Sequence, residues 1–410
     1  MRIFGDVGPG SKTFSNGVRL LPPEETLARI LPSKSLFGVT RIANLTGLDR
    51  TGIPVVMVCR PNARSTAVFH GKGISLAAAK ASGLMEAIET WHAEHIQLPI
   101  RFASYAELAG EVKAAEVDLL PRIPDGRFNA DAPMLWVEGR NLMDGQSVWV
   151  PFEMVHAHST IDGPPVSGCF SGSTNGLASG NHVLEATSHA LCELIERDAT
   201  ALWRQSPTTE QDLRRVDLTT VDDAECLAVL DLFARARIDV AVWDVTTDVG
   251  VPAFQCFAVD RTGEIGHVGV GAGCHPTRKI ALLRATTEAA QVRTTYIVGS
   301  REDIRHSDYR SATLASKSER ARALMRSVAR PRDFASVEDF DFASVQAEVA
   351  WIVARLVSTG IRQAIAVDLT RSEFGIPVVR VVAPGLEGFD HFPAYYAPGA
   401  RACALRDRRA

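Results

Sequence analysis

The sequence predicts an α+β fold in which mixed sheets pack with helices in several lobes. Helical and strand-like patterns alternate along the 410 residues, and no low-complexity tract or linker separates them. Strand hairpins recur between the helices, which argues against a cleanly doubly wound parallel sheet. Three of the helical patterns also follow turns of small residues; the first two carry several carboxylates each, and the third carries Glu288 among Arg284, Gln291 and Arg293. These helices are therefore the first candidates for a functional site.

The helices are predicted from amphipathic spacing and from residues that favour helix starts. Residues 1–34 hold an arm and one helix, because Pro23 is followed by Glu24 and Glu25, and helix starts prefer proline and acids in the first turn. Apolar periodicity predicts the longer helices. Their bounds are 76–96, 182–203, 277–297 and 345–359, with a short helix near Glu107 and exposed charged helix and loop over 301–335.

Strands are predicted where short apolar runs rich in β-branched residues lie between turn residues. These runs are 53–59, 67–70, 135–138, 147–150, 240–244, 253–259, 364–368 and 376–382. Glycine, serine and proline are dense over 163–180, which predicts a functional loop. A second glycine-rich stretch, 269–273, predicts a turn before the third long helix.

The composition is that of an ordinary globular protein and argues against several function classes. Lys and Arg number 44 against 48 Asp and Glu, so the net charge of -4 gives no basic field for nucleic acid. The apolar runs are far shorter than the roughly 20 residues that cross a membrane. The N-terminus lacks the pattern of a signal peptide. Seven cysteines without a C-x-x-C pair predict reduced thiols in a cytoplasmic protein.

The carboxylates of the three helical segments recur at helical spacing. Residues three or four apart share a helix face, and Glu185 and Glu196 lie about three turns apart. Two like charges about 4 Å apart repel by about 4 kcal/mol near a protein surface. Converging carboxylates would therefore need hard divalent cations, and Mg²⁺ usually brings phosphates with it. The segments contain Gly71-Lys72-Gly73 with Glu86 and Glu89; Asn175-Gly176 with Glu185, Glu193, Glu196 and Arg197; and Gly271 with Arg284, Glu288, Gln291 and Arg293.

Other interpretations of these residues stay open at this point. The Gly71–Gly73 turn lacks the Walker spacing and could be purely structural, and Glu86 could belong to a solvated helix face. His92 and His95 beside Glu89 could imitate a zinc pair, although no H-E-x-x-H motif occurs. An ordinary ATP-dependent ligase that forms an acyl phosphate would use similar groups.

The motifs together resemble those of the YcaO-domain family. The resemblance covers about residues 35–400, and its motifs occur in the same order and at matching spacing. Further phrases resemble the branch of the family that operates with a TfuA partner. The family motifs are GKG-x₈-SGLMEAIE (71–89), TNGLASGN-x₃-EA-x₆-ELIERD (174–198) and LLRATTEAAQVR (282–293); the branch phrases are FGVTRIANLTGLDRTGIPV (37–55), VDLTRSEFGIPVVRVVAPGLEG (367–388) and YAPGAR (396–401).

The resemblance implies a role for individual residues. The metal ligands that hold two or more Mg²⁺ ions around ATP would be Glu86, Glu89, Glu185, Glu193 and Glu196. The residues that contact the nucleotide would be Arg19, Thr26, Lys72, Ser82, Asn175, Asn181, Arg197 and Arg284. Glu196, Arg197 and Arg284 would carry the chemistry, with the two arginines near the phosphates.

The resemblance also implies a YcaO-type multi-lobe fold around a central ATP site. We expect an N-terminal arm and helix at 1–34, the catalytic domain at 35–400 and a C-terminal tail at 401–410. The expected activity is ATP- and Mg²⁺-dependent phosphorylation of a peptide backbone amide oxygen during the modification of ribosomally made peptides. The TfuA-type phrases and the absence of a proline-rich PxPxP tail favour a thioamide product over an azoline formed from Cys, Ser or Thr.

The expected partners follow from the same comparison. They are a peptide or protein substrate, a TfuA-like protein and, since no leader-binding segment is recognised, a separate leader-peptide-binding protein. A homodimer is also expected, whereas nucleic acid and membrane are not. A non-catalytic accessory scaffold is the alternative from a different class, and retention of all five glutamates argues against it.

Overall fold

The computed structural model describes residues 19–262, 266–326, 330–388 and 397–407. The described residues form two compact units, each assembled from separated stretches of the chain. Of the described residues, the first unit takes 19–21, 88–205, 342–388 and 397–407, and the second unit takes 22–87, 206–262, 266–326 and 330–341.

Some of the sequence predictions fall on other parts of the chain. Most of the arm predicted for 1–34, the residue Tyr396 of the YAPGAR phrase and residues 408–410 of the predicted tail lie outside the described residues. The domain bounds 1–34, 35–400 and 401–410 stay a prediction.

The helices of the described residues are numbered in chain order. They are α1 Pro23–Ile30, α2 Leu76–Glu94, α3 Tyr105–Glu111, α4 Val183–Arg204, α5 Thr208–Asp212, α6 Ala224–Arg235, α7 Arg278–Val298, α8 Ser311–Met325, α9 Val345–Ser358 and α10 Ala400–Asp407. Short 3₁₀ helices at Leu31–Phe37, Thr46–Leu48, Val117–Leu119, Phe152–Met154, Leu218–Thr220, His306–Tyr309 and Phe334–Ser336 connect the longer elements.

The strands are short and most of their pairings are antiparallel. They are β1 Arg41–Asn44, β2 Val55–Cys59, β3 Val68–Lys72, β4 Ile100–Ala103, β5 Met134–Asn141, β6 Ser147–Pro151, β7 Leu177–Ser179, β8 Val216–Asp217, β9 Ile238–Asp244, β10 Ala253–Asp260, β11 Gly269–Cys274, β12 Arg332–Asp333, β13 Ile365–Asp368 and β14 Val378–Val382. The parallel pairing is that of β12 with β8.

The first unit is built on one antiparallel sheet with the order β4-β5-β13-β14-β7, and β6 also pairs with β5. The helix α4 packs on β14 and β7, and α9 packs on α4. Trp136 is fully buried in the core of this sheet, and its indole nitrogen donates to the carbonyl of Ala103 at 2.9 Å. The site-bearing helix α4 therefore lies on a rigid, buried sheet.

The second unit contains two antiparallel three-stranded sheets, with the orders β1-β2-β3 and β11-β10-β9. The helix α7 lies along β11 and also contacts β3, and α6 packs against α7. Phe233, Phe254 and Phe334 are buried in the core between these elements. The third carboxylate-bearing segment thus connects both sheets of this unit.

The fold class predicted from the sequence is confirmed, because the sheets are mixed with helices and nearly all strand pairs are antiparallel. The four long helices begin and end within two residues of their predicted bounds. The turn predicted at 269–273 is wrong, since these residues form strand β11. A Cβ on Gly271 or Gly273 would overlap the backbone of α7, so here glycine allows a strand to pack closely against a helix.

Candidate functional site

The helix α4 presents half of the predicted site residues of the first unit, namely Glu185, Glu193, Glu196 and Arg197. It begins after His182, whose Nδ1 accepts a hydrogen bond from the amide of Leu184 at 3.1 Å. Glu185 and Glu196 are buried at 4% and 8% exposure, unusual values for glutamate. A buried carboxylate is costly unless charge or hydrogen bonds compensate it. Each of these carboxylates accordingly has specific partners.

Glu185 is held by donors from two segments. One carboxylate oxygen accepts from Nη1 of Arg19 at 2.9 Å, and the other accepts from the amide of Leu20 at 3.0 Å. The backbone nitrogen and the side-chain Nδ2 of Asn181 each lie 3.4 Å from Oε1 of Glu185. The structure therefore brings together three residues that the sequence assigned to one site, namely Arg19, Asn181 and Glu185.

Arg197 lies between two of the predicted metal ligands. Its guanidinium is 3.2 Å from Glu196 and 3.6 Å from Glu193. Glu193 also accepts a hydrogen bond from the amide of Gly176 at 3.1 Å. One arginine thus faces two of the five predicted metal ligands.

Glu89, on the part of α2 that belongs to the first unit, bonds to β7. Its Oε2 accepts from the amide of Ser179 at 2.9 Å and from the Ser179 hydroxyl at 3.0 Å. Ser179 itself pairs with Val378 of β14, so the sheet fixes its position. This double hydrogen bond sets the rotamer of Glu89.

The second unit holds the remaining predicted residues. Nζ of Lys72, at the end of β3, forms an ion pair with Glu288 of α7 at 2.7 Å. Nη1 of Arg284 donates to the carbonyl of Cys274 at 2.9 Å. Ser82 and Glu86 are half-buried on α2, and Thr26 is buried on α1.

Arg301 is a charged neighbour of Glu86 that the sequence analysis did not single out. Its side chain pairs with Asp303 at 2.6 Å. That hydrogen-bonded carboxylate, together with the charge of Glu86, raises the pKa of Arg301. Ser179 and the Lys72 partner Glu288 were likewise not assigned roles, although both lie within the quoted motifs. For Arg301 the sequence offers no signal beyond its charge.

A buried acid joins α4 to the C-terminal helix. Asp198, next to Arg197, accepts from Nε of Arg401 at 2.9 Å and from the amide of Glu387 at 3.0 Å. The Glu387 carboxylate in turn accepts from the amides of Gly399 and Ala402. Burial raises the pKa of Asp198 to about 6, against the opposing effects of Arg401 and the amide. The end of the described chain is therefore fixed to the site-bearing helix.

The histidines that could imitate a zinc pair are packed instead. Nδ1 of His92 is 2.8 Å from the carbonyl of Ile88, and Nδ1 of His95 is 2.8 Å from the carbonyl of Trp91. The His95 ring stacks on Trp91 at a centroid distance of 4.4 Å. These contacts are typical of a structural role.

His70 gives the fold a pH dependence that can be measured. It is 1% exposed, and within the described chain neither ring nitrogen finds a hydrogen-bond partner. Burial, assisted by the charge of Arg301, lowers the pKa of His70 from 6.5 to about 4. The neutral ring therefore favours the folded state above pH 6.5, and this contribution is lost as the pH falls toward 4.

We expect His70→Phe to make unfolding less sensitive to acid. The phenyl ring fills the same space without titrating, so the free energy of unfolding should fall less steeply between pH 6.5 and 4. The difference in slope should reach about 1.4 kcal/mol per pH unit, the contribution of one proton. Urea unfolding of both proteins across this range measures it, and equal slopes would contradict the assignment.

The predicted ligand set fits magnesium in its chemistry. All five side chains offer carboxylate oxygens, which hard divalent cations prefer, and Lys72, Arg197 and Arg284 suit phosphates. Among the described residues, no three His, Cys, Asp or Glu side chains already form a metal cage. Four of the glutamates, Glu89, Glu185, Glu193 and Glu196, instead contact arginines, backbone amides or the hydroxyl of Ser179. A bound cation and its nucleotide would add to these contacts or replace them. The metal and nucleotide assignments stay a prediction.

The structure also bears on membrane association. In the described ranges, every helix is either too short or too polar to cross a membrane.

Comparisons with known proteins agree with the motifs. The family model described as YcaO cyclodehydratase, ATP- and Mg²⁺-binding, matches residues 70–387. An uncharacterized protein encoded in the tfuA 3′ region of Rhizobium leguminosarum bv. trifolii is 37% identical over 379 residues, which are 90% of this chain and 88% of that protein.

Two solved structures share the fold. The structure of YcaO from Methanopyrus kandleri bound with AMPPCP and Mg²⁺ superposes with a TM-score of 0.75 at 22% identity, covering 95% of this chain and 98% of that one. A heterocyclase in complex with substrate and cofactor gives a TM-score of 0.78 at 23% identity over 94% of this chain. The match covers 54% of the heterocyclase, so this chain spans about half of its length.

Proposed function

The chain belongs to the YcaO family, and from this premise we propose that it is an ATP- and Mg²⁺-dependent enzyme that activates a peptide backbone amide. The observation that carries the proposal is the arrangement on α4, where Arg197 faces Glu193 and Glu196 while Glu185 is buried against Arg19 and Asn181. These carboxylates offer oxygen ligands to a metal, and the two arginines offer positive charge to phosphates. The relative from Methanopyrus kandleri binds an ATP analogue and Mg²⁺, which supports the same assignment here.

An amide needs activation because its oxygen is a poor leaving group. In the proposed reaction a hydrosulfide ion adds to the carbonyl carbon, and the resulting oxyanion takes the γ-phosphoryl group of ATP, releasing ADP. The carbon–oxygen bond then breaks, the carbon–sulfur double bond forms, and phosphate leaves with the former amide oxygen and the sulfur-bound proton. The protein contributes positioning and charge stabilisation, which dominate phosphoryl transfer.

We assign the residues by their charge and contacts. Mg²⁺ supplies charge neutralisation at the phosphates when it is bound, and more than one ion would match five carboxylates. The metal ligands would be Glu86, Glu89, Glu185, Glu193 and Glu196. Arg197 and Arg284 would neutralise developing charge, with Lys72, Ser82, Asn175, Asn181, Arg19 and Thr26 as nucleotide contacts.

The proposed product is a thioamide made together with a TfuA-like protein. The support is the relative encoded in a tfuA region, which is similar over 90% of this chain. A second candidate is azoline formation, favoured by the cyclodehydratase description of the family model. There the nucleophile would be a neighbouring Cys, Ser or Thr side chain of the peptide. A separate leader-binding protein and a homodimer stay predictions.

The mass of the reacted peptide distinguishes these products. With a TfuA-like protein, a sulfide source, ATP and Mg²⁺, we expect a peptide heavier by about 16 Da, the exchange of oxygen for sulfur through phosphoryl transfer. A loss of about 18 Da would indicate cyclodehydration by the same chemistry. The genes adjacent to this one are the place to search for the partner and the precursor peptide used in the assay. Dehydrated product formed without the TfuA-like protein would overturn the thioamide proposal.

A further inference from the structure

The buried acid Asp198 joins helix α10 to the end of α4 that carries the predicted metal ligands. Its side chain is 0% exposed, and Oδ1 accepts from Nε of Arg401 at 2.9 Å and from the amide of Glu387 at 3.0 Å. Within the described residues, the other oxygen of Asp198 has no hydrogen-bond partner. Since a buried carboxylate is costly unless an opposite charge compensates it, Asp198 depends on Arg401 for its place in the fold.

The helix α10 depends on the same contacts. It has eight residues, Ala400–Asp407, and an isolated helix of that length is marginal in water. The carboxylate of Glu387 accepts from the amides of Gly399 and Ala402 at 2.8 Å each, which satisfies two donors at the start of the helix. Ala402 is buried, and α10 packs on α4. The order of α10 is therefore linked to α4 through Glu387 and Arg401.

The contact lies at the part of α4 that the proposed site uses. Asp198 directly follows Arg197, whose guanidinium is 3.2 Å from Glu196 and 3.6 Å from Glu193. Neighbouring residues of a helix share one ladder of backbone hydrogen bonds, so a shift at one residue is passed to the next. Displacement of Asp198 would therefore move Arg197 relative to Glu89, which strand β7 holds in place.

The three residues of this contact come from motifs in which the proposed function gives them no role. Asp198 ends the family motif on α4, Glu387 lies near the end of the longest branch phrase, and Arg401 ends the phrase YAPGAR. The fold brings these distant segments together at one point of α4. A role for that point in the site would account for all three.

We propose that Arg401 is a positioning residue of the nucleotide site, which acts through Asp198 to hold Arg197 where it meets the phosphates of ATP. This inference rests on the proposed function and adds α10 to the parts that the site requires. A displaced guanidinium loses the directional hydrogen bonds that make arginine effective at phosphates. In this assignment Arg401 does not itself contact the nucleotide, so its contribution to binding should vanish once Arg197 is replaced.

A double-mutant cycle on nucleotide binding tests the proposal. AMPPCP with Mg²⁺ is titrated calorimetrically into the full-length protein, the single variants Arg401→Met and Arg197→Met, and the double variant. Arg197→Met should weaken binding about tenfold or more, the loss expected for a hydrogen bond between charged groups. Arg401→Met should weaken binding about fivefold in the wild type, but by less than about twofold in the Arg197→Met background.

Arg406→Met is the matched control, because Arg406 also joins α10 to the end of α4. Its Nη2 donates to the side-chain oxygen of Gln205 at 2.9 Å, at an exposed position about two turns beyond Arg197. Loss of this contact leaves no buried charge, so the affinity for AMPPCP should not change. Circular dichroism shows which variants are folded. If Arg401→Met does not fold, Asp198→Asn takes its place and should show the same coupling, because a neutral acceptor weakens the bond to Arg401 without leaving a buried charge.

Three results would overturn the proposal. They are unchanged affinity for AMPPCP in folded Arg401→Met, an equal loss from this variant with and without Arg197, and a loss of the same size in Arg406→Met. The same titrations separate this inference from the proposed function. Mg²⁺-dependent binding by the wild type without coupling between the two arginines would refute only the positioning role. No binding of AMPPCP to the wild type would refute the proposed function and this inference with it.

Discussion

Replacing Glu196 with Gln is expected to abolish product formation while the protein stays folded. Glu196 is 8% exposed and lies 3.2 Å from Arg197, which also faces Glu193. The variant keeps the size of the side chain and removes one negative charge from a group that holds two carboxylates and one arginine. Arg197 retains Glu193 as its partner, so the melting temperature should change little or rise slightly.

The expected loss of turnover follows from the role of charge in phosphoryl transfer. An amide oxygen is a weaker magnesium ligand than a carboxylate, and removing one preorganised charge-stabilising group commonly costs about a hundredfold or more in rate. Calorimetric titration of ATP with and without Mg²⁺ should show that the variant has lost most of the metal-dependent part of the affinity. Peptide turnover with the partner protein gives the rate.

Glu348→Gln is the matched control for this variant. Glu348 is another buried glutamate of the first unit, and it accepts from the hydroxyl of Ser188 on α4 at 2.5 Å. It was not assigned to the site, so its replacement should alter stability but preserve turnover. Wild-type ATP consumption by Glu196→Gln in the presence of peptide and partner would mean that Glu196 is not a metal ligand.

The sequence predicts the long helices well because their signals are local. The periodicity of 76–96, 182–203, 277–297 and 345–359 extends over several turns, and the structure matches each of them closely. The helix α6 was not predicted, although Asp223 provides a clear start by accepting from two backbone amides. That omission was avoidable, since apolar residues at helical spacing follow Asp223.

Short strands and remote partners are harder to predict because their cause is not local. The strand β7 is three residues long and exists through pairing with β14, about 200 positions away in the sequence. Strand β11 contains glycines that signal a turn in isolation, yet α7 requires them for close packing. The same holds for the site, since spacing predicts the carboxylates of α4 but not that Arg401 pairs with Asp198.

Replacing Gly176 with Ala is expected to destabilise the first unit and to weaken nucleotide binding together. Gly176 has a φ of 77°, a region that alanine adopts at a cost of about 1 to 2 kcal/mol. A Cβ there would also overlap the carbonyl oxygen of Val381, and such overpacking adds about 1 to 3 kcal/mol. The total expected loss in the free energy of unfolding is therefore about 2 to 5 kcal/mol.

The functional part of this prediction depends on the hydrogen bond from the Gly176 amide to Glu193. Relief of the overlap must move this amide, which would leave Glu193 with a changed position relative to Arg197.

Gly145→Ala is the matched control, because Gly145 has a φ of 74° and no atom near its Cβ position. The control should lose about 1 to 2 kcal/mol from backbone strain alone and should bind ATP normally. Urea unfolding and ATP calorimetry on both variants measure the two effects. If Gly176→Ala binds ATP and Mg²⁺ as tightly as Gly145→Ala does, the position of Glu193 does not depend on this turn, and its role as a metal ligand would lose its structural support.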